Sequence, residues 1–107
     1  MNQLVPIPFT QVQLNDSFWQ PRLEINRSKT IPHIYHWLKS TMRIDAWDLS
    51  KWERGDPKLP HIFWDSDIAK WIEAAAYTLA FQPDERLENQ IDEIVSAMVV
   101  AQLPDGY

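Results

Sequence analysis

The chain has 107 residues, of which 45% are hydrophobic and 23% are charged, a composition typical of one small globular domain and not of a disordered segment. Its formal net charge of −5 and the lack of a basic run argue against nucleic acid as a partner. Because the sequence contains no cysteine, disulfides, thiolate metal sites and a cysteine nucleophile are excluded within these residues.

The N-terminal sequence lacks the features of a targeting segment. It has neither the basic stretch nor the apolar stretch of a signal peptide. No apolar run approaches the roughly 20 residues that a membrane span needs. We therefore expect a cytoplasmic protein that makes no membrane contact.

The first element predicted along the chain is a short strand. Residues Thr10–Leu14 alternate between polar and apolar side chains, as half-buried strands do. A lone strand is unstable, and the sequence offers no second strand to pair with it. The strand is therefore expected to join a sheet supplied from elsewhere.

Two helical pieces follow a cap cluster at Asn15–Ser17. The first is predicted from about Pro21 to Lys29, and Pro32 interrupts it because proline disrupts a helix interior. The second continues to about Ser40. Its apolar face has helical spacing and consists of Ile31, Ile34, Tyr35 and Leu38.

Residues 41–64 form a long irregular stretch with three tryptophans, Trp47, Trp52 and Trp64. Long irregular segments in compact domains are commonly functional, and the aromatic content argues against disorder. The tryptophans have two interpretations, as stacking platforms for carbohydrate or as residues packed in a core or interface.

The clearest prediction is a hairpin of two helices. One runs from Asp65 to about Phe81 and is apolar nearly all round, so we expect it to be buried on most sides. The other begins at Pro83-Asp84, ends near Gln102 and has one polar face. The short link makes the pair antiparallel. Such hairpins, repeated around a ring, form a double-layered α/α barrel.

Antiparallel packing brings two acidic motifs to the same end of this hairpin, at one mouth of such a barrel. Asp65 and Asp67 open the first helix, while Asp105 and Tyr107 follow the second. All four are candidates for binding a sugar. The plainer alternatives are a helix cap for the first pair and a Pro-Asp-Gly turn for the second.

Other polar residues give weaker signals. The spacing of His33 and His36, with His61 further on, allows a metal site to be considered, but no acidic residue completes a ligand pattern. Glu24, Glu73 and Glu93 stand in no pattern that singles out a glycosidic acid. We therefore predict no metal site and no catalytic residue in this chain.

Five ordered segments of the sequence resemble glycoside hydrolase family 127, the β-L-arabinofuranosidase family. They are VQLNDSFWQPRLEINR (12–27), TIP (30–32), RID (43–45), FWDSDIAKWIEAA (63–75) and AQLPDGY (101–107). Together they span nearly the whole chain, and their order and separation make the resemblance specific.

The resemblance implies an all-α fold, part of an α/α six-hairpin (toroid) barrel with a short N-terminal β-strand. Residues 1–14 would be the extended strand that joins a downstream β-sandwich, and residues 15–107 the truncated first part of the barrel catalytic domain. It also implies release of terminal L-arabinofuranose, or a similar sugar, from β-linked glycosides. A zinc-bound cysteine nucleophile with other cysteines and a glutamate is expected in the full-length protein, and none of these maps onto this chain.

One position departs from the family pattern. Met42 stands where the pattern Thr-Gly-Arg-Ile-Asp leads us to expect glycine. Because methionine does not readily adopt a positive φ, we expect the loop around Asp45 to differ from that of the family.

These observations predict the opening part of a glycoside hydrolase that is inactive by itself. Its partner is a carbohydrate substrate, and a homodimer of the full-length form is left open. Two alternatives remain: a free-standing small helical module that binds protein through its tryptophan-rich surface, and a non-catalytic carbohydrate-binding relative. The module would unfold cooperatively alone, whereas the fragment would be molten or aggregate.

Overall fold

A computed structural model describes residues 3–53 and 59–106 and shows an all-helical fold. Its four α-helices are α1 (Trp19–Ile25), α2 (Ile31–Ser40), α3 (Trp64–Phe81) and α4 (Glu85–Ala101). Shorter helical turns occur at Phe9–Gln11, Ile44–Trp47 and Leu49–Lys51.

Helices α1 and α2 are joined by one π-helical turn, Asn26–Thr30, which explains how Pro32 is accommodated. A proline ring clashes with the carbonyl four residues earlier in a regular helix. Here the wider turn precedes the proline, and the N–H of Ile31 donates to the carbonyl of Asn26, five residues back. At the predicted interruption the helix is therefore only widened by one π-helical turn, and the chain remains helical from α1 into α2.

The cap cluster before α1 behaves as predicted. The Oδ1 atom of Asp16 accepts hydrogen bonds from the backbone N–H groups of Phe18, at 2.8 Å, and Trp19, at 2.6 Å. These bonds, that of Trp19 first, hold the pKa of the Asp16 carboxyl below its usual value. They satisfy N–H groups that the first turn of a helix leaves without partners.

The core lies between α2, α3 and α4, with one contribution from the turn at Ile44–Trp47. We call this packed surface the seam. Its buried side chains are Ile31, Leu38, Ile44, Ile68, Trp71, Ala75, Leu87 and Ile94. The apolar face predicted for α2 is confirmed at Ile31 and Leu38, and Tyr35 packs against the seam, whereas Ile34 is 42% exposed.

Trp71 is the side chain that ties α3 to α2. It is only 3% exposed, and its indole Nε1 donates to the carbonyl of Ile31 at 3.0 Å. The ring also packs against Tyr35, with centroids 5.1 Å apart. A buried tryptophan normally needs a partner for its N–H, and this bond provides one without interrupting the apolar packing.

The predicted hairpin of α3 and α4 is present. Asp84 caps α4, and its Oδ1 atom accepts the N–H of Leu87 at 3.1 Å. The prediction that α3 is buried on most sides is not met within the described chain, because α3 buries one face and leaves Tyr77 and Phe81 more than half exposed.

The N-terminal strand predicted at Thr10–Leu14 is absent: the described residues, 3–53 and 59–106, contain no strand. Phe9–Gln11 forms a 3-10 turn instead. The ring of Phe9 packs edge-on against Tyr77 and Phe81, with centroids 5.0 and 5.4 Å apart. A strand requires a neighbour for its backbone groups, and no neighbour is available in this part of the chain, so local turn bonds and the two aromatic contacts of Phe9 determine the conformation.

Among the same described residues, no helix combines the length and the apolar character that crossing a bilayer requires.

Candidate functional site

An open groove of about 720 Å³ lies at the end of the hairpin where α3 begins and α4 ends. We call it the apolar groove. Three segments form it, namely the turns at residues 46–49, the residues 60–65 that lead into α3, and the residues 95–103 at the end of α4. Asp65 and Gln102 both line it, which confirms that the two ends of the hairpin meet there.

Aromatic and aliphatic side chains dominate the groove wall, and few polar groups interrupt them. Trp47 and Trp64 supply the aromatic surface. His61, Asp65 and Gln102 supply the polar groups. This combination can stack an apolar ring face while hydrogen-bonding a few hydroxyls, the usual way in which a small ligand is oriented in a largely apolar site.

The loop that leads to the groove starts with a tight helix stop after α2. The N–H of Met42 donates to the carbonyl of Lys39 at 3.1 Å, and that of Arg43 donates to Leu38 at 2.9 Å. These two bonds define a Schellman motif, which requires a left-handed residue at the position of Met42.

Met42 has a φ of 62°, so methionine adopts the conformation for which glycine is favoured. The expectation that this residue would avoid a positive φ is therefore wrong. The following backbone bonds and the burial of Ile44 maintain the turn in spite of the steric cost.

Arg43 leaves this turn and reaches the first turn of α3. Its Nε donates to the Oδ2 atom of Asp67 at 3.1 Å, across 24 positions of sequence. Its guanidinium carbon also lies 5.3 Å from the ring centroid of Trp64, within cation–π range. One arginine therefore connects an aromatic wall of the groove to one of the predicted site carboxylates.

The two carboxylates of the Asp-Ser-Asp motif have different surroundings. Asp65 lines the groove, and its Oδ1 atom accepts the N–H of Ser66 at 2.7 Å. Asp67 pairs with Arg43 and is not among the groove residues. The alternative that this motif caps α3 is not met, because the cap residue is Phe63, which makes no side-chain cap bond.

Asp45 organises the rest of the loop. Its Oδ1 atom accepts hydrogen bonds from Lys51 at 2.6 Å and Lys39 at 3.4 Å, and its carbonyl accepts the indole N–H of Trp52 at 3.1 Å. The Lys51 bond, followed by the positive charge of Lys39, holds the pKa of the Asp45 carboxyl below its usual value. Trp52 is thus anchored to this loop through its indole N–H.

Trp47 differs from Trp52 in the state of its indole N–H. Among the residues that the structure describes, its indole Nε1 is buried and has no hydrogen-bond partner. A buried donor without a partner is costly, by about 1–3 kcal/mol. The ring contributes to the groove wall, while its polar edge faces away from solvent.

The Pro-Asp-Gly motif after α4 forms the turn that the simpler interpretation expects. The N–H of Gly106 donates to the carbonyl of Leu103 at 2.9 Å, and Gly106 has a φ of 92°. Gln102 Nε2 donates to the carbonyl of Gly106 at 2.8 Å and ties the turn to α4. Asp105 lies in this turn and is exposed, and the predicted site residue Tyr107 lies outside the described residues.

A second, smaller groove of about 540 Å³ lies between α1 and the C-terminal half of α3. Glu24, Arg27 and Tyr77 are among its residues, and Glu24 is paired with Arg27 at 2.7 Å. None of the predicted site residues lines it. Within the described chain, no group of three or more histidine and acidic residues could hold a metal ion.

Arg43 is the residue of the site that sequence reasoning missed. Arg43 belongs to one of the segments that resemble the family, but no spacing rule connects it with Asp67, since the contact depends on the loop conformation. A glycine at the end of α2 would indicate the left-handed turn that positions Arg43. This chain has Met42 there, so the sequence does not indicate the turn.

Comparison with known proteins gives a consistent result. The family described as "Beta-L-arabinofuranosidase, GH127 catalytic domain" matches residues 11–107. The non-reducing end β-L-arabinofuranosidase of Bifidobacterium longum subsp. longum is 48% identical over 46 residues, which are 43% of this chain. The solved structure of the GH127 β-arabinofuranosidase BT3674 superposes with a TM-score of 0.86 at 35% identity, over 95% of this chain.

The chain spans 7% of the length of the Bifidobacterium protein and 16% of that solved chain. The match therefore concerns one part of each of these proteins.

Proposed function

Because the chain belongs to the GH127 catalytic-domain family of β-L-arabinofuranosidases, we propose that it forms part of a glycoside hydrolase. The proposed reaction releases terminal L-arabinofuranose, or a similar sugar, from β-linked glycosides. The observation that carries the proposal is the family match over residues 11–107, which the superposition at 35% identity supports independently in three dimensions.

Within that enzyme, we propose that the hairpin of α3 and α4 forms part of the wall of an α/α barrel, with the apolar groove at the mouth of its cavity. The hairpin geometry, one face of α3 in the seam and two aromatic side chains exposed on the other, supports this arrangement. The proposed β-sandwich contact of residues 1–14 would supply the sheet that the N-terminal segment lacks in this chain.

For the substrate, we propose contacts from Asp65 at the groove and from Asp105 and Tyr107 at the turn after α4. Asp65 is the best supported of these because it lies beside Trp64 in the groove wall. A carboxylate beside an aromatic face is suited to a sugar, since the carboxylate accepts hydroxyl hydrogen bonds while the ring covers the apolar face. Asp67, the fourth residue predicted to bind the sugar, is paired with Arg43 and does not line the groove.

The zinc–cysteine centre implied by the family resemblance does not fit the residues of this chain. The sequence has no cysteine, and its described part holds no metal-ligating cluster. We therefore propose no catalytic residue among residues 1–107 and assign the zinc and the nucleophile to other parts of the full-length enzyme. Residues 1–107 alone are then inactive, and the enzyme as a whole is proposed to be cytoplasmic, with a homodimer left open.

The test has two stages. First, the source DNA is read beyond the codon for Tyr107, and we expect an open frame that encodes a glutamate and a cluster of cysteines. Second, the encoded protein is assayed with a chromogenic β-L-arabinofuranoside and, as a control, the matching α-L-arabinofuranoside. Selective hydrolysis of the β-anomer supports the proposal, and a protein that hydrolyses neither anomer overturns it.

A further inference from the structure

The two carboxylates of the Asp-Ser-Asp motif cannot serve one ligand in the same way. Asp65 and Asp67 are two positions apart at the start of α3, so their side chains leave the helix about 200° apart. Residues with this spacing do not share a face. In agreement, Asp65 lines the apolar groove, whereas Asp67 faces the loop that follows α2.

We propose that Asp67 and Arg43 are a pair of positioning residues and that Asp65 is the carboxylate that contacts the substrate. This inference rests on the proposed function and refines it, because it removes Asp67 from the sugar-binding set and adds Arg43 in a role that no sequence motif assigned.

The contacts of Arg43 support this division. Its Nε is bonded to Asp67, and its guanidinium packs on Trp64, which immediately precedes Asp65. The backbone N–H of Trp64 donates to the carbonyl of His61 at 2.9 Å, which fixes the main chain but not the indole ring. The positive charge of Arg43 lies against the Trp64 ring, so Arg43 orients an aromatic wall of the groove.

The position of Arg43 is itself well defined. It directly follows the left-handed Met42, its N–H closes the Schellman motif on Leu38, and the next residue, Ile44, is buried in the seam. Asp67 lies in the first turn of α3, where the helix dipole stabilises its negative charge. The pair therefore joins two fixed points of the backbone and holds the Trp64 ring in position.

The test is a double-mutant cycle in the intact enzyme, assayed with the chromogenic β-L-arabinofuranoside. Arg43→Gln and Asp67→Asn are each expected to raise KM about fivefold, with a smaller change in kcat. The double variant is expected to match either single variant, because each one breaks the same contact. Arg43→Lys, which keeps the charge without the planar guanidinium, is expected to recover part of the loss.

Asp65→Asn is the matched comparison for Asp67→Asn. Its effect on KM is expected to multiply with that of Arg43→Gln, because it removes a separate contact. If Asp67→Asn instead adds its full effect in the Arg43→Gln background, Asp67 contacts the substrate directly and the proposal is wrong.

Two further outcomes are distinguishable. If the variants lower the melting temperature but leave KM unchanged, the pair only stabilises the fold, which also overturns the proposal. If the unmodified enzyme hydrolyses no β-L-arabinofuranoside, the proposed function has failed, and the role of the pair in substrate binding fails with it.

Discussion

The seam and the apolar groove are built from the same types of residue but differ in how far their apolar side chains are buried and their indole N–H groups are paired. In the seam, Ile68 and Ala75 of α3 are fully buried, and the one indole N–H there has a partner. In the groove, Ile62 is 79% exposed, Val99 is 65% exposed, and the buried N–H of Trp47 has no partner among the described residues. The seam is thus a core whose side chains are buried and whose indole N–H is paired. The groove is an apolar surface whose shape depends on loop contacts.

This difference indicates which forces determine each region. The seam follows from helical periodicity, which needs only local sequence and hydrophobic burial. The groove depends on the left-handed turn at Met42, on the contact of Arg43 with Asp67 in α3, and on the bonds of Asp45 within the loop. Substitutions in the seam are therefore expected to affect stability most, and substitutions in the loop are expected to have smaller effects.

The largest effect is expected for Trp71→Ala. This change removes a buried ring and leaves the carbonyl of Ile31 without its indole partner, so it should lower the free energy of unfolding by about 3–5 kcal/mol. Urea unfolding of the intact protein measures it. Trp37→Ala is the control, because Trp37 is 55% exposed and should cost below about 1 kcal/mol. Equal losses in the two variants would contradict the assignment of the seam as the core.

An intermediate effect is expected for Asp45→Asn. The carboxylate is 14% exposed and accepts bonds from Lys51 and Lys39, so its loss should cost about 1 kcal/mol. Because the folded pKa of Asp45 is lower than the unfolded one, this stabilisation is present above about pH 4 and is lost as the pH falls through the folded pKa.

Unfolding of Asp45→Asn and of the parent, followed at pH 7 and at pH 3, checks this dependence. The difference in stability between the two proteins should be larger at pH 7 than at pH 3. Asp92→Asn, at an exposed position of α4, serves as the control and should change stability by less than about 0.5 kcal/mol. A difference for Asp45→Asn that persists unchanged at pH 3 would show that its charge is not the cause.

The smallest change in the free energy of unfolding is expected for Met42→Gly, which should stabilise the protein. Glycine removes the steric cost of the left-handed conformation, about 1–2 kcal/mol, but it loses more backbone entropy on folding, so the net gain should be about 0.5 kcal/mol. The midpoint of urea unfolding is the readout. Met42→Ala keeps the Cβ atom and should give no gain, so an equal gain for alanine would show that the backbone conformation is not responsible.

The parts of the molecule that could be predicted from the sequence are those with a repeating pattern. The hairpin of α3 and α4, the start of α4 next to Asp84 and the buried positions Ile31 and Leu38 all follow from local spacing. The structure shows no strand at the predicted Thr10–Leu14, because an alternating pattern forms a strand only when a neighbouring strand is available.

The candidate site was predictable only in part. Antiparallel packing predicts that Asp65 lies close to the end of α4, and the residues that line the groove confirm this prediction. The pairing of Asp67 with Arg43 did not follow, because it depends on a left-handed turn at a methionine. A rule based on residue type predicts against that turn, and only the surrounding bonds explain it.

The most direct measurement is the rate at which the intact protein, and separately residues 1–107, release L-arabinofuranose from a β-linked arabinoside. We expect turnover by the intact protein, none by residues 1–107, and no cooperative unfolding transition for the isolated segment. Cooperative unfolding of residues 1–107, together with an intact protein that releases no arabinose, would contradict the assignment and favour a free-standing binding module.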